Sequence, residues 1–125
     1  MLEPDNGLVV YRIRGTLSVD AMIDLFRRSK RDPDWSDDHD FLSLLHGTEF
    51  GDITVPEVDR LLGELRGLDT PRADGRRKRS AVVCPDWVAR ALLTYWEHRS
   101  ETVRLHEDSV FATEAEARAW LAEVR

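Results

Sequence analysis

Apolar and polar residues alternate through LVVYRIRG, residues 8–15, with Val9, Tyr11 and Ile13 set against Arg12 and Arg14. That period of two marks a strand with one covered face. Asn6-Gly7 just ahead favours a tight hairpin with a short arm at residues 2–4. The period then becomes helical: Val19, Met22, Ile23 and Phe26 recur behind Ser18, a suitable cap, and the helix must end before Pro33. FLSLLHG, residues 41–47, is a mostly apolar run stopped by glycine and reads as a strand covered on both faces. Thr54 and Glu57 have capping-box spacing, and Val55, Val58, Leu61, Leu62, Leu65 and Leu68 mark one face of a second helix, closed by Gly67 and Pro71. SAVVC, residues 80–84, predicts another buried strand, followed by a helix that Asp86 would cap and that turns Val88, Ala91, Leu92, Tyr95 and Trp96 inward. TVRLHED, residues 102–108, alternates again and predicts a strand with one wetter face. Thr113 and Glu116 repeat the capping-box spacing ahead of Ala117, Trp120, Leu121 and Val124.

The predicted order is β-α-β-α-β-α-β-α, which argues for an α/β fold with right-handed crossovers. The N-terminal hairpin makes the sheet mixed, so the expectation is a four- to five-stranded mixed sheet with about four packed helices. At 125 residues, 42% apolar and 34% charged, the chain suits a single domain spanning 1–125. MLEPDNG lacks a signal-peptide pattern and no apolar run approaches the roughly 20 residues that cross a bilayer. With one cysteine, too few for an internal disulfide, these features predict a cytoplasmic protein. A formal charge of −6 opposes nucleic-acid and anionic-membrane partners. RRKR at 76–79 is the local exception, read as a solvated basic turn ahead of a strand.

Four stretches offer chemistry. DPDWSDDHD, from residue 32, clusters oxygen ligands in a loop, but it lacks the glycine and the closing glutamate of a calcium loop and reads as a solvated turn, with Trp35 a lid on the core edge. His39, His46, His98 and His106 do not share metal-ligand spacing, so neither a metal nor another cofactor is expected. Cys84 and Arg90 have the Cys-x5-Arg spacing of a phosphatase loop, in which backbone amides and arginine hold phosphate for a thiolate. Pro85 removes the first amide, residues 85–89 contain no glycine, and Asp86 would fill the helix start with its own carboxylate. A buried thiol at a strand end is therefore preferred, and no enzyme activity is expected. HGTEFGDIT, residues 46–54, leaves the carboxyl end of a strand for a helix start, where α/β proteins tend to place ligands or switches. Thr48 and Thr54 supply hydroxyls there that phosphate could modify, with His46, Glu49 and Asp52 beside them.

The opening VVYRIRG with TLSVDAMIDLF, the DPDW turn, the RSAVV strand, Ala89-Arg90, and the ending VRLHEDSVFATEAEARAWL together resemble bacterial STAS/SpoIIAA-like proteins over nearly the whole chain. The resemblance implies a non-catalytic regulatory or interaction domain with a protein partner, an anti-sigma-type kinase being the model case, or a homodimer. In those relatives a serine in an Asp-Ser-Ser/Thr-Gly segment is phosphorylated; the matching place is His46-Gly47-Thr48-Glu49 through Thr54, which lacks that tetrapeptide. The loop 46–54 and the helix after it would then form the partner face. The alternative is a binder of small apolar or nucleotide ligands, with a cleft at the carboxyl ends of the strands touching His46, Cys84 and His106; a Cys84/Arg90 phosphatase ranks third.

Overall fold

The computed structural model describes residues 2–3, 6–50, 53–86, 89–103 and 106–123. In chain order the elements are β1 (Leu2–Glu3), β2 (Leu8–Arg12), β3 (Gly15–Thr16), α1 (Val19–Ser29), β4 (Asp40–Leu44), β5 (Thr48–Glu49), α2 (Val55–Leu68), β6 (Lys78–Val83), α3 (Arg90–Val103), β7 (His106–Phe111) and α4 (Glu114–Ala122). The main sheet has five strands in the order β1-β2-β4-β6-β7. The hairpin arm β1 is antiparallel to β2, pairing Leu2 with Val9, and all other neighbours are parallel. The protein is thus an α/β fold with four helices on a five-stranded mixed sheet, as the periodicities predict. No helix among the described residues is long and apolar enough to cross a membrane.

Because the parallel strands step steadily across the sheet, a single crossover hand puts all three connecting helices on one face. Val9, Tyr11 and Phe41 meet Val19, Ile23 and Phe26 of α1 and Leu61 and Leu65 of α2, while Val82 and Cys84 meet Leu93 of α3. The alternate positions Val10, Leu42, Leu44, Ala81 and Val83 meet Ala117 and Leu121 of α4 on the other face. Period-two alternation thus feeds two cores at once, and the central strands carry almost no exposed residue.

The caps explain where α1 and α4 begin. Ser18 Oγ accepts from the Ala21 N–H at 3.3 Å, and Thr113 Oγ1 accepts from the Glu116 N–H at 3.3 Å. Glu116 answers by accepting the Thr113 hydroxyl at 2.9 Å. Near the C-terminus of α4, Arg79 Nη1 donates to the carbonyls of Trp120 and Glu123, and its guanidinium lies 5.1 Å from the Trp120 ring centroid. A buried cation there complements the helix dipole. Arg118 of α4 also grips the first strand, its two terminal nitrogens donating to Glu3 Oε1 and Oε2 at 3.1 and 3.2 Å. That pairing holds the Glu3 carboxyl below its ordinary value.

Several expectations are revised. The strand expected at 102–108 begins only at His106 and runs to Phe111, while α3 continues through residue 103. Its buried positions are polar, His106 and Asp108, so hydropathy does not outline it. Burial is tolerable because Ser100, itself fully buried, donates its hydroxyl to the Asp108 carboxylate and Asp69 Oδ1 stands 3.5 Å from His106 Nε2. Thr54 is the α2 cap by position, yet its side chain makes no capping bond, and Glu57 turns to Arg60 at 3.1 Å. Val55 is 44% exposed and leaves the apolar stripe. The basic run is only half a solvated turn, because Lys78 and Arg79 open β6 and are 2% and 9% exposed. The expected Asp86 cap and the inward positions Val88 and Val124 fall on or against residues outside the described set.

Candidate functional site

Between the sheet and the layer of α1, α2 and α3 lies a cavity of about 100 Å³. Its floor is the buried face of Tyr11, Phe41, Leu45 and Val82, and Phe26 and Leu65 close it from the helices. Ile13, Leu17, Phe50 and Ile53 are half-buried and line it further on. Each follows the carboxyl end of one of the strands β2 to β5, so the cavity reaches the edge of the sheet where open α/β folds place ligands. Ser43 and Ser80 put hydroxyl-bearing side chains in an otherwise apolar or aromatic lining. The space is somewhat smaller and slightly more polar than the engineered protein cavities of about 150 Å³ that take up benzene.

The approach to the cavity depends on a paired break in two strands. Beyond β2 and β4 the parallel ladder continues, with Ile13 N–H donating to the Leu44 carbonyl at 3.0 Å and Gly15 N–H to the Gly47 carbonyl at 3.1 Å. Gly15 has φ 75° and Gly47 φ 65°, a left-handed conformation that side chains disfavour. The two glycines let both chains turn together into the short pair β3 and β5, which carries Leu17 and Phe50 to the cavity.

Phe50 and Ile53 of the predicted switch loop therefore line the cavity, whereas its described polar residues do not. His46 and Glu49 are exposed. Thr48, half-buried in β5, donates its hydroxyl to the Ile13 carbonyl at 2.6 Å. Thr54 is exposed at the start of α2. Asp52 lies outside the described residues.

The other predicted cleft residues do not come together. Cys84 follows the carboxyl end of β6 and donates from Sγ toward the Asp86 carbonyl at 3.6 Å, whereas His106 opens β7 at the amino end of the sheet, in register with Lys78. The strand length separates them, which rules out one cleft touching both. Cys84 is 1% exposed, and burial pushes its thiol above the ordinary value. Arg90 Nε donates to the Cys84 carbonyl at 3.2 Å, so the guanidinium of the Cys-x5-Arg pair braces the backbone of the strand end.

Sequence reasoning missed a buried polar group at the amino ends of the strands. The His106 ring stacks on Phe41 at 5.4 Å between centroids, and Lys78 Nζ lies 5.6 Å from the Phe41 ring and 5.8 Å from the Trp35 ring. Asp37 accepts from Trp35 Nε1 at 3.0 Å and from the Thr70 hydroxyl at 2.7 Å, and these bonds hold its carboxyl below the ordinary value. Trp35 is thus the expected lid, packed on Phe26 and Phe41. The available signal was that the basic run leads without a turn residue into the apolar stretch Ala81 to Val83, so that its last members fall inside the strand, where a buried cation requires partners of this kind. Among the described residues no three His, Cys, Asp or Glu side chains gather as a metal-ligand group.

Compared with known proteins, the chain matches no protein-family model, no curated protein and no solved structure.

Proposed function

We propose that the chain is a non-catalytic binding domain that holds a small apolar molecule between its sheet and the α1–α3 layer, with Phe50 and Ile53 covering its outer part. The observation that carries this reading is the cavity of about 100 Å³, lined by aromatic and aliphatic side chains and reaching the carboxyl ends of the strands. The cost of leaving such a space within a packed core is of the order of 24 cal/mol per Å³, and an occupant would offset it. The bonded Arg90 and the raised Cys84 thiol support a role without a nucleophile.

The test is thermal unfolding with toluene or indole as the probe. At a probe concentration 100 times its Kd the folded state gains about 2.7 kcal/mol, which for a domain of this size is on the order of 10 °C in Tm. Val82→Phe, which fills the cavity from its floor, should keep the circular dichroism spectrum and lose that rise. Identical shifts in the variant, or no shift in the parent protein, would sink the reading.

One observation favours a second reading, a regulatory domain switched by phosphate as the STAS resemblance implies. Thr54 is exposed and its hydroxyl makes no capping bond, so a phosphate there would sit at the N-terminus of α2 without breaking an existing contact. Thr48 is a poorer acceptor because its hydroxyl is spent on Ile13. Intact-mass analysis of protein purified from cells should show a phosphorylated fraction that vanishes in Thr54→Ala and survives in Thr48→Ala. Phosphate mapped to Thr48, or none at all, removes this reading.

A further inference from the structure

At the end of the sheet opposite the apolar cavity, beside the amino end of β6, lies an open cleft of about 490 Å³. Its walls come from the C-terminal part of α2, the connection 70–77 and the last turns of α3. Arg66, Arg72, Arg76, Arg77 and Lys78 line it against one carboxylate, Glu101. In a chain of net charge −6 this is charge gathered against the average composition, so composition alone does not account for it.

The five cations are not equally committed. Arg72 and Arg76 share Asp74, each within 2.9 Å of Oδ2, and Arg72 Nη1 also donates to the Asp38 carbonyl at 2.5 Å. These contacts fix the two guanidinium groups and neutralise part of their charge. Arg77 Nη2 donates to the neutral backbone carbonyl of His106 at 2.9 Å. Among the described residues neither Arg66 nor Arg77 pairs with a carboxylate. Lys78 is 2% exposed, with Nζ 3.5 Å from Thr70 Oγ1, a contact that positions its ammonium group at the cleft wall. The cleft therefore has two uncompensated guanidinium groups, further cations held in place, and a buried point charge.

We propose that this cleft binds a compact polyanion of the phosphate class, a small molecule bearing a phosphomonoester or diphosphate group. Guanidinium forks match pairs of phosphate oxygens, and an ammonium adds a point charge. The volume lies in the range of small-molecule sites. A nucleic acid fits less well: among the described residues no aromatic side chain lines the cleft for bases to stack on, and the chain as a whole repels a polyanionic strand. The site is independent of the apolar cavity, and either can fail without the other.

Isothermal titration of inorganic pyrophosphate into the full chain tests it. Saturable binding at one site is expected. The double variant Arg66→Gln/Arg77→Gln should weaken that binding by about tenfold or more, with unchanged circular dichroism. Glu101→Gln removes the carboxylate that lines the cleft and should tighten binding, a gain that damage to the fold would not produce. The proposal is overturned by an absence of saturable binding, by equal affinity in the double variant, or by a single-stranded oligonucleotide that binds and is not displaced by pyrophosphate.

Discussion

Phe41→Ala is expected to destabilise the protein by about 3–5 kcal/mol, the range for truncating a buried phenylalanine. Phe41 is 3% exposed and joins four rings: Tyr11 at 6.4 Å, Phe26 at 5.6 Å, Trp35 at 6.0 Å and His106 at 5.4 Å between centroids. It is also the aromatic surface facing Lys78 Nζ. Alanine would enlarge the apolar cavity on one side and strip packing from a buried histidine and lysine on the other. Against a total stability of roughly 5–15 kcal/mol for a native domain, such a loss leaves the variant marginal. Urea denaturation followed by tryptophan fluorescence reads the midpoint. A loss below about 1 kcal/mol would mean that the cluster relaxes around the gap and that Phe41 does not organise it.

Asp40→Ala should cost about 3–5 kcal/mol, as expected when one partner of a buried ionic and hydrogen-bonded group is removed. Asp40 Oδ1 accepts from the Arg79 N–H at 2.9 Å and lies 3.5 Å from Arg72 Nη1, with the Asp40 and Arg72 side chains 8% and 10% exposed. Alanine would leave the buried Arg79 amide without this acceptor and remove a carboxylate that faces Arg72. Both residues tie the connection before β6 to the first residue of β4. Asp40→Asn keeps an acceptor of similar shape and should lose distinctly less in chemical denaturation. Equal losses in the two variants would show that the charge, and not the bond to the strand amide, does the stabilising.

The regular parts of the fold were legible because their apolar periods are undisturbed. The Asn6-Gly7 hairpin, the Ser18 and Thr113 caps and the stripes Val19-Ile23-Phe26 and Val58-Leu61-Leu62-Leu65 all stand where the pattern puts them. Where polar side chains are buried, the pattern fails. His106 and Asp108 hide the start of β7, because their partners Asp69 and Ser100 are remote in sequence or on a neighbouring helix. Thr54 and Glu57 have the spacing of a capping box, but Arg60 competes for the glutamate. The cavity reaches the carboxyl ends of the strands, but its lining is not legible in the sequence. Tyr11, Phe41, Leu45 and Phe50 read individually as ordinary core residues, and a void between layers leaves no mark in any one segment.

The clasp between Glu3 and Arg118 spans 115 positions of the chain. During synthesis β1 can pair with β2 as soon as the Asn6-Gly7 turn has formed, since hairpin closure is local and fast. Its ionic anchor on α4 does not exist until residue 118 has been made. β1 therefore emerges well before the helix that fastens it. A two-residue edge strand is weak by itself, so the β1 edge of the sheet stays open to strangers until α4 docks.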